Sequence, residues 1–290
     1  MKKNLMIMIL VLCTALLVWN AGSANLKTTT ITQYSDASGS QGMFYTIQTK
    51  TGEMIVVDGG NRGNTEYVRQ ELKKLGDHVS SWILTHPHPD HISAFNEIYA
   101  NLDGIKVDEI ITTDMDYELY RSLAQEWDDF PVYEEFVNLT KDADNIRIVH
   151  TGDEFELCGL NVKIFNAYDE NTGVLSNDIC NEGSMVFKVS GKNNSILFCA
   201  DVYDAVFCDK IISEFGSQLR ADYLQMGHHG NHSVTKEFVE KVQPSVAFFD
   251  APDWLVEGEN YDTKDNIKMV ENMGVTAYTY STCPNSVELE

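Results

Sequence analysis

The chain has 290 residues, enough for one large domain or two small ones, and its 43% hydrophobic content is ordinary for a globular protein. A formal net charge of −23 and a pI near 4.6 make the surface broadly acidic. That argues against nonspecific attraction to nucleic acid or anionic lipid, and leaves room for metals that neutralise local carboxylates.

The chain opens like a targeting segment. Lys2 and Lys3 precede an apolar run from Leu5 to Trp19, followed by the small residues Ala21, Gly22, Ser23 and Ala24. This is the pattern of a secretory signal peptide, and the run falls short of the roughly 20 apolar residues of a spanning helix. Residues 1–24 are therefore expected to be a signal peptide, with an uncleaved N-terminal membrane anchor as the alternative. Residues 25–290 form the working domain, secreted or held at the cell surface. Cys13 lies in the apolar run without a small residue before it, against a lipoprotein cleavage site. Cys158, Cys180, Cys199, Cys208 and Cys283 remain, an odd number without the tight spacing of a disulfide framework or zinc knuckle.

After the leader, β-rich runs are expected at 28–33 and 43–49, and a third strand at 53–58 ending in Asp58-Gly59-Gly60. Residues 65–75 carry helical spacing, with Val68, Leu72 and Leu75 on one face. A strand at 81–85, a helix at 90–100 and a strand at 107–112 follow. Residues 114–144 are acidic, aromatic and helical in pattern, with Tyr117, Tyr120, Leu123 and Trp127 at helical spacing until Pro131 interrupts. From Arg147, R-I-V-H, E-F-E-L and V-K-I-F read as a meander. A hairpin at 185–190 and 195–200 comes next. Helices at 204–215, 235–242 and 264–273 then alternate with strands at 223–226, 246–249 and 275–280, before a last strand at 286–289. Each half runs strands first and then strand–helix alternation, with no linker between. A single α/β domain of two packed sheets with helices outside follows from that order.

The chemistry concentrates in I-L-T-H-P-H-P-D-H-I, residues 83–92. Pro87 and Pro89 push His86 and His88 out of the helical region, so both are expected to be extended. Side chains at i and i+2 of an extended chain point the same way, so His86, His88 and Asp90 can face one point. A helix starting near Asp90 would bring His91 round from its first turn, and its free N–H groups would favour a carboxylate there. Four ligand-type side chains within six residues point to a metal.

H-x-H-x-D-H after a hydrophobic strand resembles the main motif of the metallo-β-lactamase superfamily, mostly hydrolases with two adjacent metals. The resemblance implies a four-layer αββα sandwich and assigns the remaining stations. Asp58, in V-V-D-G-G, is similar to the buried aspartate that hydrogen-bonds the metal loop. Asp201, after I-L-F-C-A, is similar to the bridging aspartate that touches both metals. M-G-H-H-G contains the last histidine ligand, taken as His228, nearer the strand end, with the reverse order of His228 and His229 as the alternative. His229 is then left to contact substrate or donate a proton. The wider family has a third histidine between the first motif and the bridging aspartate. Here that interval holds only His150, too early and read as structural.

In place of the third histidine stands N-D-I-C-N-E-G-S-M-V, residues 177–186. Asn181 and Ser184 before an apolar strand, then L-F-C-A-D and H-H-G, resemble the extracellular hydrolase domain of bacterial DNA-uptake competence proteins and its free-standing relatives. Asn231 departs from the serine that this group carries after H-H-G. The implied ligand sets are His86, His88 and Asp201 for one divalent cation, and Asp90, His91, Asp201 and His228 for the other. Zinc is expected first, with manganese or iron as alternatives.

The expected activity is hydrolysis by a water activated between the two metals, with Asp90 and Asp201 orienting it, on a phosphodiester or related ester. Lactone or β-lactam hydrolysis is the alternative. A non-catalytic metal-binding surface protein is the rival of another class. Expected partners are thus a small-molecule or phosphodiester substrate. Nucleic acid is disfavoured by net charge, and a membrane is met only through an uncleaved leader.

Overall fold

Alternation of buried and half-exposed residues in Thr29–Gln33 and continuous burial of Met54–Asp58 set an edge-side strand and a central one. A computed structural model describes residues 28–290; the expected leader and Cys13 lie outside the described residues. No helix among these is long and apolar enough to cross a membrane.

The described strands form two seven-stranded sheets and one small pair. The first sheet runs in the order Asn285–Leu289, Thr29–Gln33, Phe44–Gln48, Met54–Asp58, Ser81–Ile83, Ile110–Thr112 and Ile146–Ile148. The second runs Thr276–Tyr278, Val246–Phe248, Tyr223–Gln225, Ser195–Phe198, Val186–Ser190, Leu160–Asn166 and Glu154–Leu157. In each sheet the antiparallel half comes first in sequence. The parallel half follows, its strands joined by helices on the outer face. Ile31, Tyr45, Ile55, Ile83, Phe187, Phe198 and Phe248 fill the space between the sheets. Two further apolar layers seat the helices, one around Trp82, Phe95 and Tyr133, the other around Phe207, Phe238 and Phe249. The result is the αββα sandwich.

One crossing differs from the sequence reading. Ile146–Ile148 pairs parallel with Ile110–Thr112 in the first sheet, so R-I-V-H does not join the meander. The chain changes sheets between Val149 and Asp153, and only Glu154–Leu157 and Leu160–Asn166 pair as expected. Adjacency in sequence suggested one sheet, but buried Val149 packs between the two and turns the chain across. The last strand returns to the first sheet beside Thr29–Gln33. In the aromatic stretch, helices form at Tyr117–Leu123 and Pro131–Thr140. Tyr120 and Tyr133 pack around Phe130, whereas Trp127 leaves the helical face and is 72% exposed. Cys158, Cys180, Cys199, Cys208 and Cys283 are all free.

Candidate metal centre

The strand Ser81–Ile83 lies between Met54–Asp58 and Ile110–Thr112 and delivers the histidine loop at its C-terminal end. Pro89 acts as expected on the residue before it. His88 is extended (φ −69°, ψ 152°) and caps the helix Pro89–Ala100, where Pro89 at the first position has no needed N–H to lose. His86, His88 and His91 are all buried, with ring centroids of His86 and His91 4.1 Å apart.

Asp58 fastens the loop from the neighbouring strand end. One carboxylate oxygen accepts the Thr85 N–H at 2.8 Å; the other accepts the Thr85 hydroxyl and His91 Nδ1, both at 2.7 Å. With Nδ1 bound there, His91 turns Nε2 toward Asp201 Oδ1 at 3.2 Å. His86 has Nδ1 beside the Thr85 hydroxyl at 3.2 Å and Nε2 3.8 Å from Asp201 Oδ2. Gln41 donates to Asp90 Oδ2 at 2.9 Å and steadies that carboxylate.

Asp201 stands past the end of Ser195–Phe198, in a turn held by Gln225, whose Oε1 accepts the N–H groups of Cys199 and Ala200. The histidine pair departs from the expected assignment. His229, not His228, enters the cluster: its Nδ1 is 3.1 Å from the Asp250 carbonyl oxygen, and its Nε2 lies 3.0 Å from Asp90 Oδ2 and 3.4 Å from Asp201 Oδ2. His228 is turned onto Tyr203 (ring centroids 5.1 Å) with Nδ1 2.7 Å from the Asn231 carbonyl. The physical reason is the turn itself. His228 and His229 both have left-handed backbone (φ 47° and 55°), so the chain curls before the ligand position is reached. Gly227 permits this, because a Cβ there would run into the Val202 carbonyl oxygen.

Asn181 and Ser184 lie in the segment that abuts the loop, with the Met185 N–H donating to the Thr85 carbonyl at 3.0 Å. Both are buried, and Asn181 Oδ1 and Ser184 Oγ have no hydrogen-bond partner. His150 is exposed and pairs with Asp153.

The sequence reading missed Asp128, which meets His88 Nε2 at 2.8 Å, and Asp250. Asp128 sits in an acidic stretch where no spacing singles it out. Asp250 follows a strand just as Asp58 and Asp201 do, and that position was the available signal.

A cation fits this cluster. His86 Nε2, His91 Nε2, His229 Nε2 and Asp201 Oδ1 are buried and make no hydrogen bond, a costly arrangement unless something positive sits among them. Donor atoms of His86, His91 and Asp201 lie within 4.8 Å of one another, as do those of Asp90, His91 and His229. The carboxylates draw positive charge to this point, whether as protons or as a cation. Burial opposes charge on His91, yet Asp201 and Asp58 push it up to about 10. Burial likewise opposes ionisation of Asp201, but His91 and His229 hold it well below the usual carboxylate range. Burial and His91 keep His86 neutral, the form in which imidazole binds metal.

Sheet order and site together define a metallo-β-lactamase fold carrying candidate His/Asp metal sites. A model of the metallo-beta-lactamase superfamily matches residues 38–107. The metallo-beta-lactamase fold protein YhfI from Bacillus subtilis superposes with a TM-score of 0.54 at 11% identity, over 90% of this chain and 99% of that one. Igni18, a metallo hydrolase from the archaeon Ignicoccus hospitalis, gives 0.55 at 14% identity, over 91% and 99%. CmlA, a diiron beta-hydroxylase from Streptomyces venezuelae, gives 0.53 at 11% identity, over 90% of this chain and 54% of that one. No curated protein matches the sequence. The chain is thus similar to the metallo-beta-lactamase superfamily over residues 38–107, and its likeness to the solved structures shows the shared fold.

Proposed function

We propose that this protein is a metal-dependent hydrolase acting on a phosphodiester or related ester. The observation that carries the reading is the convergence of His86, His91, His229 and Asp201 with four buried polar atoms unpartnered. His86, His88 and Asp201 would hold one divalent cation; Asp90, His91, Asp201 and His229 would hold the other. When bound, such a pair lowers the pKa of water and acts as a Lewis acid toward the substrate's oxygens.

The chain's own residues supply position and proton control. Asp58 fixes His91 in the tautomer that leaves Nε2 free, and Gln41 fixes Asp90. Carboxylate oxygens of Asp90 and Asp201 accept hydrogen bonds from the attacking water and orient it. His228, released from the ligand role, is half-buried at the same turn and suited to protonating the leaving oxygen. A net charge of −23 favours a small ester over long nucleic acid. The leader pattern supports an exported location, secreted or at the cell surface.

The test pairs metal analysis of purified protein with turnover of bis(p-nitrophenyl) phosphate, a lactone and a chromogenic cephalosporin. Metal-dependent phosphodiester turnover abolished by His86→Ala supports the reading. A metal-loaded protein inert to all three substrates points to a binding protein instead.

A further inference from the structure

We infer that Cys180 supplies a thiolate ligand to the cation held by His86 and His88, in the place where no third histidine exists. The inference rests on the two-cation reading and extends it by one named ligand.

Cys180 Sγ and one ring nitrogen each of His86 and His88 lie within 4.8 Å of one another, all three residues buried. Donor atoms around a single tetrahedral zinc sit roughly 3.5 Å apart, given Zn–N near 2.0 Å and Zn–S near 2.3 Å. The three are therefore within reach of one ion. His86 Nε2 is buried without a partner, an independent sign of a ligand at this point. The nitrogens of His88 can be assigned in turn. Its Nε2 meets Asp128 Oδ1 at 2.8 Å, and a proton donated there leaves Nδ1 with the free lone pair.

The backbone explains how the cysteine arrives. Asp178 caps the four-residue helix Ile179–Glu182 through the Asn181 N–H at 3.2 Å. The Met185 N–H then ties the segment to Thr85, next to His86. Among the described residues, Cys180 is the cysteine that joins a cluster of ligand-type side chains; Cys199 and Cys208 are packed in the apolar layer of the second sheet.

Binding would exchange the thiol proton for the metal and release it to solvent. A two-nitrogen, one-sulfur set completed by Asp201 is softer than the nitrogen and oxygen sets that suit manganese or iron, and it favours zinc.

Cobalt(II) titration of the full chain tests this without any substrate. The expected result is two cobalt ions per chain with a near-ultraviolet thiolate-to-cobalt charge-transfer band. Cys180→Ser should lose the band and Cys283→Ser should keep it. Cys180→His should bind two ions without the band. The wild-type spectrum needs no variant to fold, so a misfolded Cys180→Ser does not blunt the test. Two bound cobalt ions with no such band, or a band that survives Cys180→Ser in folded protein, overturns the inference and leaves the two-cation site standing. No cobalt binding at all overturns both.

Discussion

Gln225 and Asp250 meet side chain to side chain at 3.0 Å in the buried space between the sheets. Asp250 also accepts from Gln33 at 2.8 Å and the Tyr45 hydroxyl at 2.7 Å, both on strands of the first sheet. Gln225 holds the N–H groups of Cys199 and Ala200, just before Asp201, while the Asp250 carbonyl faces His229. One polar knot thus joins the sheets and sets two members of the metal cluster.

Gln225→Leu roughly keeps the volume and removes the bonds that Gln225 makes to Cys199, Ala200 and Asp250. It leaves two N–H groups and a carboxylate oxygen buried without Gln225, each costing about 1–3 kcal/mol. A loss of several kcal/mol in chemical denaturation is expected. A variant within 1 kcal/mol of wild type would show that the knot contributes little to stability.

Asp58 has three donors on its carboxylate; an asparagine would keep an oxygen for the Thr85 N–H but turn an amide N–H toward His91 Nδ1, which favours the tautomer protonated at Nε2 and blocks that nitrogen as a ligand. Asp58→Asn should therefore behave like Asp58→Ala, not like wild type. Losing such support for a ligating histidine typically weakens metal binding by about 10–100-fold. Competition with a chromogenic chelator measures this directly, and wild-type affinity in Asp58→Asn would refute the assignment.

Much of this site is legible in the sequence, for a physical reason. Proline fixes local backbone, so His86, His88 and Asp90 could be singled out from residue order, whereas the strand-end carboxylates Asp58 and Asp201 were picked out by the family resemblance. The H-H pair is different. Which histidine faces inward depends on two left-handed residues and on the room left by Gly227, and neither is written in a spacing. Asp128 reaches His88 only because the aromatic helices around Phe130 fold back over the loop, a tertiary outcome. The crossing at Val149 was hidden likewise, since a short strand reads the same in either sheet.

The turn at His228 and His229 yields a direct comparison. His229→Ala removes a nitrogen from the Asp90–His91 cluster and should reduce bound metal from two ions toward one, with turnover falling by orders of magnitude. His228→Ala should keep both ions, because its ring is engaged with Tyr203 and the Asn231 carbonyl. Metal stoichiometry by plasma emission spectrometry separates the two. Loss of an ion in His228→Ala with full loading of His229→Ala would reverse the assignment.

Cys208 gives the fold an alkaline limit that is independent of metal. Burial in the helix Ala205–Phe215 pushes its thiol up to about 12, while an unfolded cysteine ionises near 8.5 to 9. Between those values the folded chain keeps a proton that the unfolded chain has released, so stability must fall as pH rises. Below about pH 8 the group makes no difference to the slope. By pH 10.5 its share of the loss should be about 2 kcal/mol, from roughly 1.4 kcal/mol per pH unit. Urea midpoints at pH 7.5, 9 and 10.5 should therefore decline less steeply in Cys208→Ala than in wild type, whatever the variant costs at pH 7.5. Parallel declines would show that the buried thiol ionises in the folded state as readily as in the unfolded one.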